Sequence, residues 1–152
     1  MSNIKLMQYD IVVSHRGCQD GRCSSWCYYH YAKQRDIKNT VYLESDAGNF
    51  MMKNKDMSDI DYSGKRILIV DLCPTKQQIQ IMAKTAKLIT ILDHHKSAQD
   101  SVSNITEQNV QIVFDMQRSG TQIAWDYFFP NSERPWMLEH IADRDLWKWE
   151  LK

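Results

Sequence analysis

Four apolar runs of strand length mark this chain, and each leads into an ionisable residue. Ile11-Val12-Val13 leads to His15, and Ile67-Leu68-Ile69-Val70 to Asp71. Leu88-Ile89-Thr90-Ile91-Leu92 leads to Asp93-His94-His95, and Val110 to Phe114 leads to Asp115. Runs that are apolar throughout, without strict alternation, suit strands buried on both faces of a parallel sheet. The stretches after the first and second runs carry helical periodicity. Strands alternating with such helices imply βαβ units, whose right-handed crossovers bring all strand carboxyl ends to one edge. That edge gathers His15, Asp71, Asp93, His94 and Asp115. Open α/β sheets bind ligands there, so the coincidence marks a site.

The connecting segments have their own signals. His15 to Gly21 reads as a turn, with glycines where the backbone bends or approaches a ligand closely. Asp20 is expected to cap the helix that comes next. In that helix Cys23, Trp26, Cys27, His30 and Tyr31 recur at three- and four-residue spacing and predict one buried face. Thr40 to Leu43 is a short second strand, and 45–63 a long connection with room for a helical turn. Thr75 with Gln78, and Ser119 with Gln122, form capping boxes. The first opens a helix with Ile79, Met82, Ala83 and Ala86 inward. The second opens one with Ile123, Ala124, Tyr127 and Phe128 inward, stopped by Pro130. A short helix from Arg134 to Ala142 feeds Asp143-Arg144-Asp145, and the tryptophans Trp125, Trp136, Trp147 and Trp149 read as a C-terminal hydrophobic cluster. The expected architecture is one Rossmann-like, three-layer α/β domain over residues 1–152, with a mostly parallel five-stranded sheet.

Composition narrows the function. Nineteen basic residues balance nineteen acidic ones, so no net positive field holds nucleic acid without regard to sequence. No apolar run is long enough to cross a membrane, and the first twenty residues lack a secretory pattern. The four cysteines, Cys18, Cys23, Cys27 and Cys73, form no C-x-x-C pair. Reduced thiols in a cytoplasmic location are expected.

Carboxylates and imidazoles on one edge make a mixed oxygen and nitrogen site for divalent metal. Such a donor set suits manganese or magnesium, and imidazole tilts it toward manganese, iron or zinc. Two cations polarise a phosphoryl group and activate water. Asp71 has two oxygens with which to bridge them, and Asp93 is placed to orient a histidine ligand. The implied reaction is metal-assisted hydrolysis of a phosphoester or phosphoanhydride.

Four segments in order resemble the motifs of the DHH phosphoesterase family. They are Val13-Ser14-His15 through Cys18-Gln19-Asp20-Gly21, then Ile69-Val70-Asp71, then Asp93-His94-His95, then Ile141-Ala142-Asp143. Phe114 to Gly120 is similar to a further segment between the third and fourth motifs. The resemblance implies His15, Asp20, Asp71, His94 and Asp143 as ligands of two Mn2+ ions, with Mg2+ or another divalent metal as the alternative. It places His95 at the scissile phosphate and Arg118 on the substrate. The implied substrate is a small phosphodiester or phosphoanhydride: a short single-stranded oligonucleotide, a cyclic or modified nucleotide, or polyphosphate. The runner-up is a catalytically inactive DHH-like binding module. The chain departs from the family pattern at Cys18, where many members carry a carboxylate and where a thiolate would soften the metal preference. Members usually carry a further C-terminal domain that grips the substrate. A homodimer mate or partner subunit is the other way to complete the cleft.

Overall fold

The computed structural model describes residues 7–46 and 60–151. The helical turn expected within 45–63 falls largely on 47–59, outside the described residues. The strands are β1 (Ile11–His15), β2 (Val41–Ser45), β3 (Arg66–Val70), β4 (Leu88–Asp93) and β5 (Val110–Phe114). The helices are α1 (Gln19–Gln34), α2 (Lys76–Ala83), α3 (Gln99–Val102), α4 (Gly120–Phe128) and α5 (Trp136–Asp145). All strand pairs are parallel, in the order β2-β1-β3-β4-β5. This is the α/β architecture expected from the sequence.

Side-chain alternation along the strands separates two cores. Val12, Leu68, Val70 and Leu92 pack against Cys27, Tyr28 and Tyr31 of α1, Ile123, Ala124 and Phe128 of α4, and Leu138 of α5. Ile11, Val13, Ile67, Ile69, Ile89 and Ile91 pack on the other face against Ile79 and Met82 of α2. Ile67, Leu68, Ile69 and Val70 are fully buried, each stabilising the fold by about 1.5–3 kcal/mol relative to exposure. Thr90 interrupts the apolar run of β4, and its hydroxyl accepts from Tyr9 Oη at 2.9 Å. Both capping boxes are formed as expected.

Three expectations shift. The buried stripe of α1 is Ser24, Cys27, Tyr28, Tyr31 and Ala32, with Cys23, Trp26 and His30 on its half-buried flank. Asp20 does not cap α1; Cys18 stands at the N-cap position without a side-chain bond to the helix. The tryptophans do not form one cluster: Trp125 is buried, whereas Trp136, Trp147 and Trp149 are 76%, 79% and 60% exposed. Among the described residues, no helix is long and apolar enough to cross a membrane.

The strand order fixes where a crevice opens. From β1 the chain moves outward to β2, then returns to β3 on the other side of β1 and continues to β4 and β5. The carboxyl ends of β1 and β3 therefore flank the point where the winding reverses, the crevice where open α/β sheets bind ligands. His15 ends β1, Asp71 directly follows β3, and β4 next to it ends in Asp93.

Candidate metal centre

Asp71 is the hub of this crevice. Its side chain is fully buried, and its backbone adopts a left-handed conformation with φ of 55°, which aspartate tolerates better than most residues. The Asp71 amide still donates to Leu92 O at 2.9 Å, so the twist redirects the side chain without detaching the chain from β4. The two carboxylate oxygens face different neighbours. Oδ1 lies 3.1 Å from His94 Nε2 and 3.9 Å from His95 Nδ1. Oδ2 lies 3.7 Å from His15 Nδ1, too long for a hydrogen bond.

His94 Nε2 is surrounded by carboxylates: Asp71 at 3.1 Å, Asp145 at 3.5 Å and Asp20 at 3.7 Å. Asp20 reaches this position from the first turn of α1 because the N-terminus of α4 clamps it. Gly120 N–H donates to its Oδ2 at 2.6 Å and Thr121 N–H to its Oδ1 at 3.0 Å. The helix dipole there favours the anionic form. Gly120 permits this approach: a Cβ at that position would stand 2.8 Å from Asp71 Cβ and 2.9 Å from Asp20 Oδ2. Gly21 similarly lies against the backbone and Cβ of His15.

His95 is oriented differently. Its Nδ1 pairs with Asp93 Oδ1 at 2.8 Å, so Nε2 is the nitrogen left for a ligand. Two cavities flank the cluster. One, of about 240 Å³, is lined by His15, Asp71, Asp93 and His95 with Thr75 and Ser97. The other, of about 530 Å³, is lined by Cys18, Asp20 and Asp145 with Arg144, Trp147 and Trp149.

The electrostatics reflect crowding of like charge. Burial, reinforced by the neighbouring Asp71 and Asp145 carboxylates, pushes Asp20 up to about 7. Burial also raises Asp145. For Asp71 burial acts upward too, but the facing His15 and His94 imidazoles outweigh it and hold the carboxyl below its usual range. The bond to Asp93 raises His95 to about 9, so that imidazole is a cation at neutral pH. Burial pushes the Cys18 thiol up to about 12.

The donor set fits divalent cations. Four buried atoms here, His15 Nδ1, Asp71 Oδ2, Asp93 Oδ2 and Asp145 Oδ2, have no hydrogen-bond partner. Such atoms cost about 1–3 kcal/mol each, and an ion is one of the few things that relieves them. Among the described residues, three donor sets have ligand atoms within 4.8 Å of one another: His15, Cys18 and Asp71; Asp71, His94 and His95; and Asp20, His94 and Asp145.

The structure thus brings together His15, Asp20, Asp71, His94, His95 and Asp93. It does not bring in Asp143. The Asp143 carboxylate instead accepts from Glu150 N at 2.9 Å and Leu151 N at 3.2 Å, holding the segment after α5. Asp145 faces His94 in its place. Two residues apart on a helix means roughly 200° of rotation, so only one of the pair can point at the sheet. Arg118 is engaged by Asp115 and Asp126, both at 2.7 Å, and belongs to an ion-pair network. Sequence reading missed the roles of Gly120 and the α4 amides, and chose Asp143 where the structure puts Asp145. For Asp145 a signal existed: it follows the buried Leu138 and Ala142 at helical spacing.

No family model matches the chain. An uncharacterized protein of Acanthamoeba polyphaga mimivirus is 30% identical over 158 residues, spanning 95% of this chain. A crystal structure of an uncharacterized protein from Helicobacter pylori G27 is similar with a TM-score of 0.62 at 15% identity, over 95% of this chain. That likeness concerns the fold alone. The chain spans 35% of the viral relative's length and 45% of the bacterial chain. Neither protein's name states an activity.

Proposed function

We propose that this chain is a DHH-type, metal-dependent phosphohydrolase that cleaves a small phosphodiester or phosphoanhydride. The observation that carries the reading is the placement of the Asp71 oxygens. One faces His94 at 3.1 Å and the other faces His15 at 3.7 Å with no hydrogen-bond partner. This is how a carboxylate shared by two cations would be held. Asp20, His94 and Asp145 would complete one site, and His15 the other. The chemistry two divalent cations supply at such a cluster is activation of water and neutralisation of phosphoryl charge. Manganese is the expected metal on the resemblance to the DHH motifs, with magnesium as the alternative.

The chain's own residues supply the rest. Asp93 holds His95 in one orientation and protonated, so its Nε2–H donates to a phosphoryl or leaving oxygen where negative charge develops. The α4 amides hold Asp20 against electrostatic repulsion from Asp71 and Asp145. Arg144, rather than Arg118, lines the larger cavity beside the cluster and is placed for an anionic substrate. Trp147 and Trp149 in the same wall offer aromatic faces, which favours a substrate carrying a nucleobase over polyphosphate. A further domain, a second copy or a partner subunit would close this open side. A reducing, cytoplasmic compartment suits the free thiols of Cys18, Cys23, Cys27 and Cys73.

The test is hydrolysis of an aryl phosphodiester by the full chain with Mn2+, Co2+ or Mg2+, beside Asp71→Ala and His94→Ala. Turnover by the wild type, lost in both folded variants, is the expected result. Cation binding without turnover across nucleotide and aryl substrates would instead make the chain a binding module.

A further inference from the structure

Cys18 is the residue of the cluster that the proposed chemistry leaves unused. Its sulfur lies with His15 and Asp71 in a set whose ligand atoms fall within 4.8 Å of one another. It stands at the N-cap position of α1, beside the fully buried Asp71 carboxylate. The other two members have atoms that nothing in the protein satisfies: His15 Nδ1, and Oδ2 of the fully buried Asp71, both without a hydrogen-bond partner. The second lobe has a different composition. Facing His94 Nε2 stand the carboxylates of Asp20, Asp71 and Asp145.

We propose that the cluster holds two chemically unlike cation sites: a soft one built by His15, Cys18 and Asp71, and a hard one built by Asp20, Asp71, His94 and Asp145. This rests on the metal-dependent reading above and deepens it. Thiolate with imidazole selects zinc, cobalt or ferrous iron, whereas carboxylates with a single imidazole suit manganese or magnesium. Asp71 belongs to both sites because its oxygens face opposite lobes. A coordinating thiol is deprotonated when a cation binds, so the Cys18 sulfur would enter the soft site as thiolate. The centre would then work as a mixed pair, with the soft cation resident and the hard one exchangeable.

The test is titration of the metal-free full chain with Co2+, read by absorption. Sulfur-to-cobalt charge transfer gives a near-ultraviolet band, and ligand-field bands in the visible report cobalt at either site. The wild type is expected to show both. Cys18→Ser should lose the near-ultraviolet band and keep visible absorption from the hard site. Cys73→Ser, which removes the other thiol near the cluster, should keep the band. In competition, Cys18→Asp should lower the preference for Zn2+ over Mn2+ at the soft site by on the order of tenfold or more. Cobalt binding without the ultraviolet band, or a band that survives Cys18→Ser, overturns the soft site while leaving the metal centre standing. No saturable cobalt binding at all overturns the metal centre itself.

Discussion

Two clusters of charge sit in this molecule, and they differ in how they are closed. The first runs along α4 and α5. Asp126 receives Arg118 and Arg134, each at 2.7 Å, while Arg118 also holds Asp115 and Arg134 also holds Glu139. Glu139 in turn accepts from Gln122, the residue that completes the capping box of α4. Every guanidinium there meets carboxylates at ion-pair distance. The second cluster, at the carboxyl edge of β1, β3 and β4, packs Asp20, Asp71, Asp93 and Asp145 around three imidazoles and leaves four buried atoms without partners. The first matches its carboxylates with guanidinium groups, the second with imidazoles. A network matched by its own cations braces a fold; one that leaves buried donor atoms unmatched has the donors that the proposed cations would need.

The largest effect expected from that contrast is on Asp71. Asp71→Asn keeps the shape but removes the charge that both lobes share, and turnover should fall by roughly a thousandfold or more, about 4 kcal/mol of barrier. Steady-state kinetics with saturating metal checks this, and an activity within a few-fold of wild type would break the comparison. Gly120→Ala comes next. Its Cβ would meet Asp71 and Asp20 inside 3 Å, so unfolding in urea should show a loss of about 1–3 kcal/mol, together with weaker metal binding.

Asp143 and Asp145 give a sharper division. Asp145→Asn should weaken cation binding by on the order of tenfold, with the fold intact. Asp143→Asn should leave binding unchanged and loosen the segment after α5, whose Glu150 and Leu151 amides donate to its carboxylate. Calorimetric titration reads the first and limited proteolysis the second. In the matched network, Asp126→Asn should cost about 1 kcal/mol, since its partners are partly exposed. It should not change metal affinity.

The smallest effect is on pH dependence, and its sign is informative. Without metal, Asp20 is raised from 3.8 to about 7, and its favourable contribution is complete below the lower value and lost as pH rises through the upper. His95 behaves likewise between 6.5 and about 9. Asp71 works the other way, on the acid side, because its carboxyl is held below the ordinary range. In chelator, Tm should therefore fall between pH 5 and pH 9, whereas added metal should reverse the trend, since its ligands must be deprotonated. A Tm in chelator that climbs over this range would contradict the crowded-carboxylate picture.

The sequence made much of this legible wherever the signal was local. β5 and both capping boxes could be placed because strand-length apolar runs and S/T-x-x-Q patterns depend on neighbours in the chain. His15, Asp71 and His94 could be placed because parallel crossovers send strand ends to one edge. What failed was non-local. The inward stripe of α1 is set by its packing beneath α4, which draws in Ser24, Tyr28 and Ala32. Asp145 needed the phase of α5, and the helix continues three residues past the expected end at Ala142. Asp20 meets Gly120 and Thr121 across a hundred residues, and no spacing rule announces that approach. Arg118 finds Asp126 only once α4 has formed.

The most direct measurement is the number of divalent cations the folded, metal-free chain takes up. Equilibrium dialysis against Co2+ followed by elemental analysis would count them for the wild type, Asp71→Asn and Asp126→Asn. Two per chain in the wild type and in Asp126→Asn, falling to one or none in Asp71→Asn, is the predicted result. No cation retained by the wild type, or two still held by Asp71→Asn, would contradict a centre built around a shared carboxylate.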